Sequence, residues 1–195
     1  MNTEKPNTRQ NILDSASRLF FTKGYHATGL SQIINESKCP KGSLYYYFPN
    51  GKEELALECI ACTKAFVIER WKTKFAAFED PSDAVQAFVH DMGEDAEKYD
   101  FQGYMPFSFW MAVETSAISE KLRAAGQDVF ASWQAVISDR LIVAGMDKAR
   151  AEEVSVVVVS LLEGALILAL TKRDKQPLLS AAKCVPYLIN KCPSL

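Results

Sequence analysis

The residues best suited to molecular recognition lie just after Pro40, where a short helical pattern carries three consecutive tyrosines. Ser43, Tyr46 and Tyr47 recur at i, i+3 and i+4, so they share one helical face. The major groove of DNA admits one helix, and the N-terminal residues of that helix meet the base edges. Hydroxyl groups on such a face therefore predict hydrogen-bonding recognition of a duplex.

Two short helices joined by a tight turn position this face within segment 28–52. Ile33 and Ile34 fall on one face of the first helix, and Leu44 and Phe48 fall on one face of the second. Two helices in this order form the helix-turn-helix pattern. From periodicity alone, ordinary packing within an all-α protein is an equally good interpretation.

Local signals set the helix boundaries of this segment. Thr28 is the predicted N-cap of the first helix, because its hydroxyl can accept from the unpaired amides there. Pro40 suits the opening of the second helix, since proline lacks the amide hydrogen that would be unpaired at that position.

The wider segment 8–55 resembles the N-terminal domain of the TetR family of transcriptional regulators. The matching features are Ala16 to Phe20, Gly24-Tyr25, Thr28, Ile33-Ile34, Gly42-x-Leu44-Tyr45-x-x-Phe48 and Lys52-Glu53-x-Leu55. Within that family, FPNGKEEL resembles the LmrA-like subgroup. The sequence departs at Tyr47, where the family often has His, and at Pro40, where many members have Ser. Neither change removes the DNA-facing geometry.

The predicted DNA contacts fall into groups by position. The candidates are Lys41, Ser43 and Tyr46 for base edges, Gly42 for close approach, and Ser31 and Gln32 for the groove edge. The resemblance implies that Thr28, Tyr45, Tyr47 and Lys52 bind backbone phosphate; packing in the core is an equally good role for Tyr45. One domain contacts too few phosphates for tight binding, so a homodimer on two half-sites of an operator is expected.

Charge is divided unevenly along the 195 residues. The net charge is −2, but residues 1–52 hold seven Lys or Arg against three acids, a balance of +4, which leaves −6 for the remainder. A basic N-terminal region followed by an acidic remainder is typical of a protein that recognises DNA sequence with its N-terminal region and has another function in the remainder. The polar N-terminus and the five cysteines indicate a reduced cytoplasmic location.

The rest of the chain reads as helices, so the predicted fold class is all-α. We predict a DNA-binding domain over residues 1–52 and an effector-binding and dimerisation domain over residues 53–195. A long fourth helix, from Lys52 to about Phe78, is expected to carry Leu55, Cys59, Cys62 and Phe66 on one buried stripe.

The most apolar stretch runs from Ala151 to Thr171. Its length is close to the roughly 20 residues of a membrane span, but Glu163 near its middle disfavours that interpretation. A helix buried partly in the core and partly in a partner subunit fits better, and no membrane contact is expected. The predicted dimer interface comprises Val136, Arg140, Val157, Ser160, Leu161, Gly164 and Leu168.

Large aromatic and sulfur-containing side chains are frequent in the body, where ordinary core packing is the simpler interpretation of any single one. Taken together they fit an apolar pocket, and the resemblance implies an effector pocket in the C-terminal bundle. The candidates are Trp71, Phe75, Phe88, Met92, Tyr104, Met105, Phe107, Trp110, Met111, Glu114 and Trp133. A planar or hydrophobic small molecule is the expected ligand.

Enzymatic motifs are missing from the sequence, since it holds only two histidines and no phosphate loop, HExxH or GxSxG. Cys59-x-x-Cys62 lacks a second ligand pair for zinc, so packing is the better role, and neither a metal nor a cofactor is expected. A thiol sensor using Cys39 or this pair remains an alternative.

The sequence thus predicts a DNA-binding regulator that responds to a ligand, with repression the usual outcome in the family. Effector binding would stabilise another tilt of the fourth helix and so separate the two heads from their half-sites. The alternative from a different class is an all-α interaction module that does not bind DNA.

Overall fold

The computed structural model describes residues 8–101, 107–115, 117 and 119–191, and within these ranges the chain is helical, without strands. The all-α prediction is therefore confirmed. The helices are α1 (Thr8–Lys23), α2 (Leu30–Ser37), α3 (Lys41–Tyr47), α4 (Lys52–Ala77), α5 (Pro81–Lys98), α6 (Phe107–Phe109) with a π-helix (Trp110–Thr115), α7 (Glu120–Val143), α8 (Lys148–Lys172), and α9 (Gln176–Pro186) with a π-helix (Tyr187–Lys191).

Contacts divide the chain into two compact units. The head unit comprises Met1–Thr63 and Phe107–Gly126, and the body unit comprises Lys64–Pro106 and Gln127–Leu195. Two of the three boundaries between these units fall inside α4 and α7, and the third falls at the start of α6. The head unit thus includes a segment from the second half of the chain as well as the three N-terminal helices, whereas the functional division at residue 52 stays a prediction.

Helix α1 forms the centre of the head unit. Its apolar residues recur with helical spacing, and the structure buries them on one face together with Ser15: Ile12, Leu13, Ala16, Leu19 and Phe20. The helix ends where Gly24 adopts a left-handed conformation with φ of +88°, which glycine enters without a Cβ clash. Gly24 thereby turns the chain toward α2.

The buried face of α4 differs from the expected stripe. Leu55 and Cys59 are buried as predicted, but Cys62 is exposed and Phe66 is 54% exposed. Ile60 is buried instead. Apolar residues of α4 are distributed around its whole circumference, so the helical periodicity does not determine which face is buried. Packing against the neighbouring elements of the core determines it instead.

Helix α5 begins at a strong cap, since the Asp80 side chain accepts a hydrogen bond from the Ser82 amide at 2.7 Å. Its packing against α9 is fixed by polar contacts as well as by apolar burial. The Gln86 amide donates to the Ala182 carbonyl at 2.9 Å, and the Lys175 ammonium lies 2.7 Å from Glu97 and 2.9 Å from Glu94. Because these charges are exposed, their contribution to stability is small.

Helix α8 is long and apolar enough, by length and composition, to cross a membrane. In the structure, 44% of its most apolar window is buried. The buried residues recur with helical spacing on one face: Ala151, Val154, Ser155, Val158, Val159, Leu162, Ala165, Leu166 and Ala169. This pattern is that of a core helix with one face left uncovered in the single chain.

Candidate nucleic-acid interface

Helix α3 is anchored by one fully buried face. Leu44 and the adjoining Phe48 have no exposed surface, and Ile33 of α2 is equally buried in the head unit. The turn between α2 and α3 is defined by Lys38, which has a left-handed φ of 53°, and by Pro40 at the N-cap of α3. The Ser43 amide donates to the Pro40 carbonyl at 2.9 Å and so begins the helix.

The opposite face of α3 is open to solvent. Tyr46 is 78% exposed, and its ring meets that of Tyr47 edge to face with centroids 5.0 Å apart. Lys41 and Gly42 are exposed, and Ser43 is partly exposed. A Cβ added at Gly42 would have no heavy atom of the described residues within 4 Å, so nothing in that part of the chain requires glycine there. This face is accessible to a partner that approaches the N-terminal half of the helix.

The remaining groove-side candidates lie around the same surface. Tyr45 is 45% exposed, so its ring is divided between protein and solvent. Ser31 and Gln32 are exposed at the start of α2. The side-chain Oε1 of Gln32 accepts a hydrogen bond from the Gly29 amide at 2.9 Å, so this side chain caps the start of α2.

Thr28 does not cap α2, which corrects the predicted cap. The N-cap is Gly29, and Thr28 is 1% exposed. Its hydroxyl donates to the carbonyl of Gly24 at 2.8 Å and lies 3.2 Å from that of Leu19. The hydroxyl thus ties the turn to the end of α1, and its burial gives Thr28 a structural role in the turn rather than surface for a phosphate contact.

Lys52 occupies the first position of α4, where helix N-termini attract anions. Its ammonium lies 4.2 Å from the centroid of the Tyr25 ring. Burial lowers the pKa of Lys52, and the charge of Glu114 acts in the opposite direction. Burial also raises the pKa of Tyr25, with a further contribution from Glu53.

An ion pair that the sequence did not predict lies beside Phe48, on the buried side of α3. The Arg9 guanidinium of α1 lies 2.5 and 2.6 Å from the two carboxylate oxygens of Glu58 in α4. The same guanidinium lies 5.0 Å from the Phe48 ring centroid. The contact joins residues 49 apart in the chain, so helical spacing could not reveal it.

Several predicted effector residues belong to the head unit. The Trp110 ring lies 5.1 Å from Phe21 and 6.1 Å from Phe20, measured between centroids. Glu114 accepts a hydrogen bond from the His26 amide at 3.1 Å. The predicted effector residues in this unit are Phe107, Trp110, Met111 and Glu114.

Other predicted effector residues form a ring stack in the body unit. Trp71 lies parallel to Phe88 with centroids 3.7 Å apart, and it stacks on Phe75 at 5.4 Å. Met92 is partly buried and Trp133 is buried in the same unit. The predicted residues Tyr104 and Met105 lie outside the described residues. The effector residues predicted from the sequence are therefore divided between the two compact units.

The predicted dimer residues differ in exposure. Val157, Ser160, Gly164 and Leu168 are exposed on α8, while Val136, Arg140 and Leu161 are partly buried. Arg140 donates to the Glu79 carbonyl at 2.5 Å, just beyond the end of α4. Its guanidinium is thus already engaged within the subunit.

The cysteines differ in environment. Burial raises the pKa of the Cys59 thiol to about 12, and burial also raises that of Cys62, together with the charges of Glu58 and Asp14. A thiol with a raised pKa is a poor nucleophile at neutral pH. Cys39 is partly buried, and its Sγ lies 3.2 Å from the Ser37 carbonyl oxygen. The described residues contain no group of three or more potential metal ligands.

This geometry defines a class of protein, namely a helix-turn-helix protein with a buried support and an exposed second helix. Comparison with known proteins gives the family. Residues 12–59 match the family described as bacterial regulatory proteins, tetR family, and residues 81–184 match the C-terminal domain of LmrA/YxaF-like transcriptional regulators. The chain belongs to the TetR family of transcriptional regulators, in its LmrA/YxaF-like branch.

Two relatives from Bacillus subtilis (strain 168) are similar over nearly the whole chain. The HTH-type transcriptional regulator YxaF, which is uncharacterized, is 40% identical over 189 residues, covering 97% of this chain and 98% of that protein. The HTH-type transcriptional regulator LmrA is 39% identical over 185 residues, covering 94% and 97%. The resemblance predicted from segment 8–55 is thereby confirmed, including the subgroup.

Solved structures share the fold at lower identity. The reduced form of NemR from E. coli has a TM-score of 0.80 at 22% identity, covering 95% of this chain and all of that one. A TetR regulator from Legionella pneumophila has a TM-score of 0.82 at 19% identity, covering 97% of this chain and all of that one. Members of the family bind operator DNA, act as dimers and bind small-molecule effectors, and they are regulators rather than enzymes.

The raised thiol pKa values predict slow alkylation of the helix α4 cysteines. At pH 8, a pKa of about 12 leaves about one Cys59 thiol in ten thousand ionised. In the folded protein, iodoacetamide should therefore modify exposed Cys184 first, Cys62 more slowly and Cys59 last, as measured by peptide mass spectrometry. In denaturant the order should vanish. Equal rates in the folded protein would contradict this assignment and favour the thiol-sensor alternative.

Proposed function

We propose that this protein is a cytoplasmic, homodimeric repressor that is released from its operator by a hydrophobic or aromatic small molecule. The observation that carries the proposal is the two-sided environment of α3. Leu44 on one side is fully buried, whereas Tyr46 on the other is 78% exposed. An exposed aromatic residue on a seven-residue helix, held by its buried face, has the form of a recognition surface.

The proposed contacts follow from position on this surface. Lys41, Ser43 and Tyr46 read base edges in the major groove, and Gly42 permits close approach of the backbone. Tyr45, Tyr47 and Lys52 bind phosphate oxygens, and Ser31 and Gln32 at the exposed start of α2 reach the groove edge. The N-terminus of α4 adds a favourable field at Lys52. Thr28 acts indirectly, since its buried hydroxyl holds the turn that precedes α2.

Replacing Tyr46 with Ala is expected to reduce retention of the DNA immediately upstream of the protein's own gene by about fivefold or more, because a good base contact contributes about 1–3 kcal/mol. The fold should persist, since Tyr46 is mostly exposed. Electrophoretic mobility shift and circular dichroism measure the two effects.

Tyr99→Ala is the matched control, because Tyr99 is also an exposed tyrosine but lies at the end of α5. Its retention of DNA should equal that of the unmodified protein. Unchanged DNA retention by Tyr46→Ala would instead support the alternative, an interaction module that does not bind DNA through α3.

The proposed dimer forms through the uncovered face of α8. Val156, Val157 and Leu168 are about half exposed there. Among the described residues, no heavy atom lies within 4 Å of a Cβ added at Gly164, which leaves room for a second helix to approach closely. Covering this face in a second copy would remove apolar surface from water, and two heads would double the phosphate contacts.

Leu168→Asp is expected to convert the dimer into a monomer at micromolar concentration, because it would bury an unpaired carboxylate at the interface. Sedimentation velocity measures the change, and operator binding should fall with it. Phe66→Asp is the control, since Phe66 is 54% and Leu168 is 52% exposed. A Leu168→Asp dimer as tight as the Phe66→Asp dimer would contradict the proposed interface.

The proposed effector site is a cluster of aromatic residues within the predicted effector-binding domain, residues 53–195. Trp71, Phe75 and Phe88 provide stacked rings, and planar ligands pair with such rings in offset or edge-to-face geometry. We infer that an effector selects a conformation whose two heads no longer match half-sites about 34–36 Å apart. Its effect is then a population shift, which lowers operator affinity without any chemical step.

Titration with a panel of planar aromatic compounds is expected to quench the tryptophan fluorescence and, with the same concentration dependence, release the operator. Phe75→Ala should weaken both effects of an active compound several-fold, because it removes one ring from the stack. Phe66→Ala, an exposed position on the same helix, is the control. A panel in which no compound weakens operator binding would count against the proposed ligand class.

A further inference from the structure

The turn between α1 and α2 receives a carboxylate from a distant part of the sequence. Glu114, in the π-helix Trp110–Thr115, accepts from the His26 amide through Oε2 at 3.1 Å. A Cβ placed on Gly24 would lie only 2.9 Å from the same oxygen. The carboxylate therefore lies directly against the backbone of the turn, and all these residues belong to the head unit.

The ammonium of Lys52 approaches the same turn. Its Nζ lies 4.2 Å from the ring centroid of Tyr25, which stands between Gly24 and His26 in the chain. A cation and an anion thus converge on three consecutive residues. The electrostatic effect agrees with this geometry, since the charge of Glu114 raises the pKa of Lys52 against the larger lowering caused by burial.

The acids nearest to Lys52 in sequence have other partners. Glu53 accepts a hydrogen bond from the Ser119 hydroxyl at 2.5 Å. Glu54 accepts from the Asn50 amide at 2.8 Å and so caps the start of α4. Glu114 is the acid whose charge acts on Lys52, although it is 62 positions away in the chain.

We propose that Glu114 is a positioning residue for DNA binding, which holds the 24–26 turn and competes with operator phosphate for the ammonium of Lys52. The inference rests on the proposed function, in which Lys52 binds a phosphate. An ammonium that approaches phosphate must leave the attraction of Glu114. Glu114 therefore weakens operator binding, which keeps the complex sensitive to small changes in the head.

Glu114→Gln tests this role with little structural change, because the amide oxygen can still accept from the His26 amide. Operator affinity should rise about three- to tenfold at low salt. The log–log salt dependence should steepen by about one to two, as expected when one phosphate contact per protomer is strengthened. In a Lys52→Gln background, Glu114→Gln should have no effect.

Glu120→Gln is the charge-matched control, since it removes the same charge from a side chain that is 93% exposed. It should leave affinity and salt dependence unchanged. Unaltered operator binding by Glu114→Gln would overturn the inference. A gain in operator affinity that persists in the Lys52→Gln background would also overturn it, because in either case Glu114 would not act through Lys52.

A measurement without DNA separates this inference from the proposed function. NMR titration of lysines labelled by reductive methylation should show that the pKa of Lys52 falls in Glu114→Gln and not in Glu120→Gln. An unchanged Lys52 pKa would overturn the inference on its own. If the pKa falls but the unmodified protein retains no operator DNA, the proposed function fails instead.

Discussion

The whole arrangement depends on burial of one face of a helix that is too short to be stable alone. Seven residues form fewer than two full turns, and isolated helices of this length are not stable in water. Helix α3 exists because Leu44 and Phe48 are sealed in the core of the head unit. Since that burial uses one side only, the tyrosines on the other side are presented to solvent in a fixed orientation.

The support of α3 is distributed over residues far apart in the chain. Arg9 and Glu58 join α1 to α4 beside Phe48, while Thr28 ties the turn before α2 to the end of α1. Glu114 reaches the same turn from the second half of the chain. Any change of conformation that moves this segment therefore acts on the elements that carry the proposed phosphate contacts, which gives a physical basis for regulation of binding in the head.

Local signals predicted most of the fold, whereas long-range contacts limited the prediction of the site. The shared face of Leu44 and Phe48 and the opening of α3 at Pro40 follow from rules that involve neighbouring residues, and the structure agrees. The predicted Thr28 cap was wrong because the N-cap of α2 is the next residue, Gly29, and the buried Thr28 hydroxyl instead donates back toward the end of α1. The stripe of α4 was wrong at Cys62 and Phe66, since apolar residues surround that helix. The division of the aromatic residues between two units depends on packing that one sequence does not show.

The most direct test places a photoreactive phenylalanine analogue at Tyr46 and maps its cross-links on the DNA upstream of the gene. If α3 lies in the major groove of a dimer-bound operator, cross-links should fall on bases of two half-sites about one helical turn apart, ~34–36 Å. Binding of the DNA without base cross-links from this position, or cross-links confined to the protein itself, would contradict the account.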